Sequence, residues 1–216
     1  IKNNSNRFLG FILSFASGLM MAIICFDLIP EALEISSIFA VLLGIIFGII
    51  TMIICDLIVQ EKINKKSNMK SLLKVGIVVS IGLALHNIPE GLAIGTGFHA
   101  SLELGLSLAI TIALHDIPEG ISMAVPMKNG GMKKSKIIMY VIGSGLTTGI
   151  GALIGHFLGE ISQTVIAISL SFAAGAMIYI VSGELIPEAN NMYKGRIISL
   201  GNILGLLLGI FVLNII

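Results

Sequence analysis

Long apolar runs separated by short polar stretches fill this chain from end to end. A membrane-crossing helix needs about 20 mostly apolar residues. Seven runs qualify, at approximately residues 8–30, 37–59, 72–97, 102–126, 136–158, 165–189 and 197–216. Periodicity does not separate helix from strand in runs this uniformly apolar, so their length decides for helix. The pattern predicts an all-α fold: a polytopic membrane helix bundle of about seven transmembrane helices, forming a single transmembrane domain over residues 1–216. No linker or low-complexity stretch divides it.

Composition agrees with the pattern. Hydrophobic residues make up 56% of the 216 residues and charged ones only 12%, with a mean hydropathy of +1.02. No soluble core hides that much apolar surface. The lipid bilayer is the expected partner and nucleic acid is not. Cys25 and Cys55 lie inside apolar runs, have no metal-binding spacing, and are expected to be buried small hydrophobes.

The net charge of +1 says little, but its distribution says more. With seven alternating helices, all 13 basic residues fall on one side. They are Lys2 and Arg7; Lys62, Lys65, Lys66, Lys70 and Lys74; Lys128, Lys133, Lys134 and Lys136; Lys194 and Arg196. The other side has Glu34, Glu103 and Glu160 in or beside its loops and no base. By the positive-inside rule the basic side is cytoplasmic. The expectation is a multi-pass protein of the cell membrane, with this chain's N-terminus cytoplasmic and its C-terminus extracellular. The chain starts at Ile1 with no signal peptide pattern, which suggests an upstream segment that is removed or not covered.

Two internal repeats stand out. Residues 15–32 read FASGLMMAIICFDLIPEA and residues 172–189 read FAAGAMIYIVSGELIPEA, identical at ten of eighteen positions. The topology runs the first copy outward and the second inward, an inverted repeat of the kind found in transporters that open alternately to each side. Asp27 and Glu31 then fall near the outer face, and Glu184 and Glu188 near the inner one. The second pair is HNIPEG at residues 86–91 and HDIPEG at residues 115–120, mid-span in consecutive antiparallel helices. Glycines recur four apart at Gly44/Gly48, Gly91/Gly95, Gly145/Gly149, Gly151/Gly155 and Gly201/Gly205/Gly209, a spacing that lets helices pack closely in lipid.

The mid-span pair carries the chemistry. Ionisable groups at that depth cost at least ~2.5–3.5 kcal/mol each. Glu90, Asp116 and Glu119 gather there with His86 and His115, and no lysine or arginine stands near the middle of any span. A divalent cation or protons must compensate the acids. The spacing favours a cation. His86 and Glu90 are i and i+4 on one helix face, Asn87 and Glu90 are i and i+3, and His115, Asp116 and Glu119 repeat the arrangement. Imidazole with carboxylate suits zinc, iron, manganese or cobalt, whereas magnesium and calcium prefer all-oxygen shells. Pro89 and Pro118 each remove a backbone hydrogen bond. They predict a broken, polar segment at mid-depth, with the Leu85 and Leu114 carbonyls turned to a cavity.

The HNIPEG and HDIPEG pair on adjacent membrane helices resembles the signature of ZIP metal transporters, in particular the bacterial type that includes ZupT and GufA proteins. The resemblance extends over nearly the whole chain, through span order, loop charge and the LIPEA segments. It implies eight helices, so this chain looks as though it lacks the first. It implies a metal site formed by His86, Asn87, Glu90, His115, Asp116 and Glu119, with Met20 matching a methionine that faces the metal. It supports a transport-pathway role for Asp27, Glu31, Glu184 and Glu188. Relatives often have a glutamate that completes a second, adjacent metal site; Thr148 stands there in this sequence, so one well-formed site is expected.

The resulting expectation is a secondary transporter, not an enzyme, that imports a divalent transition metal into the cytoplasm. Zn2+ is the foremost substrate, with Fe2+, Mn2+ and Cd2+ also in range, and no organic cofactor is expected. The sequence does not fix the oligomeric state; a homodimer is one assembly open to the chain. No G-x-x-x-x-G-K-[ST] loop is present to couple transport to ATP. Three carboxylates against a +2 ion leave −1, and histidine titrates near neutrality, which leaves room for protons in the cycle. The alternative from another class is an intramembrane metalloenzyme with metal-activated water. It lacks H-E-x-x-H, and its histidines lie on different helices. A third reading is a proton-coupled carrier of organic substrate. His99 and His156, near outer span ends, read as solvated histidines or as metal capture at the entrance.

Overall fold

The structure is a computed structural model and describes residues 2–64 and 71–215. Lys65, Lys66 and Lys70 of the second basic cluster lie outside the described residues. Among the described residues the chain is helical with short turns and no strand. Helix α1 (Lys2–Ile23) passes through a π-helical turn, Ile24–Leu28, into α2 (Ile29–Ile35) as one rod. Then come α3 (Ile38–Asn64), α4 (Ser71–Ala100), α5 (Leu102–Asn129) and α6 (Lys134–Gly159). Helix α7 (Gln163–Ile180) passes through a second π-helical turn, Val181–Leu185, into α8 (Ile186–Met192), and α9 (Arg196–Leu213) ends the chain.

Seven rods result. Six of them are long and apolar enough to cross a membrane: Asn6–Ile35, Ile38–Ile58, Leu102–Asn129, Lys134–Gly159, Gln163–Met192 and Arg196–Leu213. The seventh is α4, whose 30 residues give a rod of roughly 45 Å. It is central, packed against α5, α6 and α7.

The inverted repeat is written into the backbone. Both π-helical turns occupy equivalent repeat positions, and each precedes a seven-residue helix with proline in its first turn, Pro30 in α2 and Pro187 in α8. Proline collides with the carbonyl four residues back in a regular helix. The chain answers by widening that turn: Ile29 N–H donates to Ile24 O, and Ile186 N–H to Val181 O. Single π-turns inside helices recur at functional sites.

Core and lipid faces separate by rod. The two repeat rods are 67% buried, against 17% for α6 and 22% for α3 and α9. The outer helices expose large side chains such as Phe39, Leu43, Phe47, Leu146, Leu153, Phe157, Leu207 and Phe211. A monomer in water does not carry so much exposed apolar surface; lipid accepts it. Glycines set the seams. Gly44 and Gly48 of α3 lie against Ser171, Phe172 and Ala176 of α7. Gly91 and Gly95 of α4 interleave with Gly151 and Gly155 of α6. Gly201, Gly205 and Gly209 of α9 lie on Phe11, Phe15, Leu19 and Ala22 of α1.

Three expectations change. First, Pro89 and Pro118 do not break their spans, because α4 and α5 stay helical across them. The fixed φ of proline is helix-compatible, so each costs a hydrogen bond without ending the rod. The departures from regular helix fall at the LIPEA segments instead. Second, Gly145 and Gly149 pack against nothing, with no atom within 4 Å of a would-be Cβ. They lie on the opposite side of α6 from Gly151 and Gly155, since two residues turn a helix by about 200°. Third, neither cysteine is buried: Cys25 is exposed and Cys55 half-buried.

The glycine seams make a direct prediction. Gly151→Leu drives a side chain into the backbone of α4 at Ile88 and Leu92 and should cost at least ~1–3 kcal/mol, the usual range for overpacking. Gly145→Leu, on the open face, should stay within ~0.5 kcal/mol of the parent. Thermal unfolding of the two variants in detergent checks this; equal losses would mean that the seam does not hold α4 to α6.

Candidate metal centre

Two antiparallel helices bring the mid-span motifs face to face. On α4, His86 and Glu90 are one turn apart and point the same way. On α5, His115 and Glu119 do the same. The ligand atoms of all four lie within 4.8 Å of one another, and all four residues are buried. Glu90 Oε1 is the hub, 2.8 Å from His86 Nε2 and 2.7 Å from His115 Nε2. Glu119 Oε1 lies 3.3 Å from His86 Nε2. No lysine or arginine side chain joins the cluster among the described residues.

Neighbouring groups fix the walls. Asn87 donates through its amide to the backbone carbonyl of Ser144 at 2.9 Å and reaches Ser144 Oγ at 3.4 Å. That tie holds α4 to α6 and leaves Asn87 Oδ1 buried without a hydrogen-bond partner. Glu90 Oε2, Glu119 Oε1, Asp116 Oδ1 and the hydroxyl of Thr148 are buried and lack hydrogen-bond partners as well. Buried polar atoms are normally satisfied. Several oxygens in and beside the cluster thus lack hydrogen-bond donors, an arrangement that a cation can satisfy.

The other singled-out residues spread along the bundle. Asp116 stands beside the cluster, 3.9 Å from His115 Nε2, with its side chain 35% exposed, and it is not one of the four mutually close groups. Met20 is fully buried in the apolar cluster that also holds Ile23, Ile24, Leu108, Ile112 and Met177. Asp27 accepts a 2.8 Å hydrogen bond from Ser107 Oγ, tying the first π-helical turn to α5. Glu31 follows on α2, half-buried. Glu184 and Glu188 line a cavity on the lysine-bearing side.

That cavity has a volume of about 680 Å³ and runs up between α4, α5 and the second repeat rod. Its inner lining includes Gly82, Leu85 and Ser122. Leu85 immediately precedes His86, and Ser122 Oγ donates to the Glu119 carbonyl at 2.7 Å. Gly82 leaves room for the Glu184 carboxylate opposite it. On the lysine-free side the same axis is closed by Ile24, Ala93, Leu104, Leu108 and Ile112, all buried. The cavity ends beside the cluster without including any of its four side chains, which are all buried, and apolar side chains pack on the other side.

Some partners carry no sequence signal of their own. Ser144, Ser107 and Ser122 are ordinary small residues in apolar helices, and only the pairing of helices reveals their contacts. The 3.0 Å hydrogen bond from the Tyr179 hydroxyl to Asp56 joins α7 to α3 and is of the same kind.

Comparison with known proteins points the same way. The family model described as ZIP Zinc transporter matches residues 60–216, more than half of the chain. The zinc transporter ZIP11 of Bos taurus is 38% identical over 132 residues, covering 58% of this chain and 39% of that protein. The zinc transporter ZupT of Akkermansia muciniphila is 40% identical over 143 residues, covering 64% of this chain and 52% of that protein. The ZupT of Chlorobium limicola is 43% identical over 134 residues, covering 61% and 50%. The chain thus matches between about two fifths and one half of the length of these relatives.

The Asn87 tie is testable apart from any activity. Asn87→Ala removes the bond between α4 and α6, while Thr147 Oγ1 still donates to the Ser144 carbonyl at 2.6 Å, and should lower stability by ~0.5–1.5 kcal/mol. Ser144→Ala, which removes only the longer contact, should cost less than half as much. Unfolding of both variants in detergent measures the difference, and equal effects would place the tie elsewhere.

Proposed function

We propose, from the premise that the chain belongs to the ZIP zinc transporter family, that it carries a divalent transition metal across the cell membrane into the cytoplasm. Zinc is the foremost substrate, and Fe2+, Mn2+ and Cd2+ are further candidates. The observation that carries this reading is the buried His86–Glu90–His115–Glu119 cluster with no basic residue to neutralise it. Two imidazole nitrogens and two carboxylate oxygens are the donor set of a four-coordinate zinc site. Hard cations that seek six or more oxygens find a poor match.

The charge balance supports a divalent guest. With Asp116 set partly outside, the buried group carries two carboxylates instead of the three counted along the sequence. A +2 ion cancels them; a +1 ion leaves the low-dielectric site negative and a +3 ion leaves it positive, both costly. Asn87 and Asp116 are then wall residues that adjust the entry and exit of the metal. Met20 closes the lysine-free side beside it. Thr148, in place of a carboxylate, supports one full site and not two. All four ligands come from one chain, so a homodimer is not needed to complete the centre.

Import is the direction that the family resemblance implies, and the two sides of the cluster are compatible with it. The lysine-bearing face is cytoplasmic by the positive-inside rule, which puts this chain's N-terminus inside and its C-terminus outside. The 680 Å³ cavity then opens to the cytoplasm, with Glu184 and Glu188 along the exit. Asp27 and Glu31 sit at the closed outer end. Alternating access requires the Ile24–Leu108–Ile112 seal to part while the inner cavity collapses. The matched π-helical turns in the two repeat rods are suited to trading those states.

Uptake of zinc into proteoliposomes tests the proposal. Glu90→Ala and Glu119→Ala should each reduce flux by at least ~100-fold, as expected when an essential ligand set is broken, while the proteins still purify as folded species. A tenfold excess of Mg2+ should not compete. Undiminished zinc flux in both variants would end the reading. Hydrolytic turnover without flux would favour the metalloenzyme.

A further inference from the structure

Away from the central cluster, the described residues bring together one other set of ligand-type side chains: His99, His156 and Glu160. His99 stands in the last turn of α4, His156 in the last turn of α6, and Glu160 is the residue that caps α6. The ligand atoms of the three lie within 4.8 Å of one another. His99 Nε2 is 3.0 Å from His156 Nδ1, and the rings are tilted by 35° with centroids 4.8 Å apart. His156 Nε2 is 3.5 Å from Glu160 Oε1, one helical turn along.

The pair is held in place by the glycine seam. A side chain at Gly159 would run into the His99 ring, and a Cβ on Gly95 would meet the backbone nitrogen of His156 at 2.7 Å. The ends of α4 and α6 therefore stay together, and the two imidazoles are already in contact, which lowers the ordering cost of binding. Unlike the central group, this one is open: the side chains of His156 and Glu160 are 53% and 56% exposed. It lies on the lysine-free face, where Glu34 and Glu103 add negative charge and no base opposes it. Such a face concentrates cations. His99 is nine residues from Glu90 on the same helix, a rise of about 13 Å.

We propose that His99, His156 and Glu160 form a second, solvent-accessible site for a borderline divalent metal such as zinc, cobalt or nickel. It holds cargo at the lysine-free face before the metal passes to the central cluster. The delivery role rests on the transport reading above; binding by the three side chains does not. His99 Nε2, one nitrogen of His156 and the Glu160 carboxylate supply three ligands, and water completes the shell. With three ligands and open access it is a weaker site than the buried one, as a loading site must be if the metal is to leave it. Two imidazoles exclude magnesium and calcium from it. The bland reading is a hydrogen bond between two surface histidines, with no metal.

The full chain in detergent distinguishes these. Zinc should protect His99 and His156 from diethylpyrocarbonate, read peptide by peptide by mass spectrometry, and magnesium should not. Protection should persist in Glu90→Gln, whose central site is disabled. His156→Gln should remove the weaker class of sites from a zinc titration, whereas Glu90→Gln removes the tighter class. In proteoliposomes His156→Gln or His99→Gln should raise KM by about 10-fold with kcat unchanged, the signature of lost ground-state capture. Identical modification of the wild-type histidines with and without zinc overturns the site, and no variant has to fold for that result. Protection that vanishes in Glu90→Gln also overturns it. Protection with an unmoved KM overturns the delivery role. A zinc titration left unchanged by Glu90→Gln counts against the central cluster, not against this site.

Discussion

Two carboxylates buried side by side in a membrane interior need positive charge between them, and the rest of the structure is arranged around that requirement. Bare acids at this depth cost several kcal/mol each. A lysine or arginine partner would neutralise them permanently and leave no use for the imidazoles. The chain keeps all of its basic residues off the middle of the spans and surrounds Glu90 and Glu119 with His86 and His115. The imidazoles and carboxylates contact one another, Glu90 Oε1 lying 2.8 and 2.7 Å from the two rings, and under the proposed function a metal ion that arrives and departs takes the place of those contacts. Antiparallel pairing of α4 and α5 follows from this, since only opposed helices bring two copies of one motif to a common depth. The α4–α6 glycine seam and the Asn87–Ser144 bond then hold the ligand-bearing helix against its neighbour.

Much of this was legible in the sequence because membrane physics leaves few alternatives. The all-helical bundle followed from run length, and the doubled H-x-I-P-E-G pattern singled out the residues that the fold brings within ligand distance. The inverted repeat was visible as ten matching residues, and it reappears as two π-helical turns at equivalent positions. What the sequence could not reveal depended on facing partners. Pro89 and Pro118 looked like breaks, yet helix packing carries α4 and α5 across them, and the distortion sits at Pro30 and Pro187. Gly145 and Gly149 had the same spacing as Gly151 and Gly155 but lie on the wrong side of α6. Asp116 is one of three acids in the paired motif, and the fold leaves its side chain 35% exposed at the edge of the four-residue cluster, which no spacing along the chain reveals.

The asymmetry between the two sides of the cluster is the other consequence. Toward the lysine-free face, Met20, Ile24, Leu108 and Ile112 are packed in the apolar core, with Ser107 and Thr111 of α5 buried as well. Toward the lysine-bearing face, Glu184 and Glu188 line an open cavity. The acids of the two related repeat rods thus differ in surroundings: Glu184 lines that cavity, whereas Asp27 at the equivalent position is hydrogen-bonded to Ser107. An inverted repeat allows the environments to be exchanged with little change inside each rod. The four ligands lie between those two regions, the position a cargo site must hold if it is to face each side in turn.

Crystals of the zinc-loaded protein measured at the zinc absorption edge test the central claim most directly. The account predicts an anomalous peak between His86, Glu90, His115 and Glu119, with ligand distances of about 2.0–2.2 Å. A map with no peak inside that cluster, or with zinc only at the exposed histidines, would contradict it.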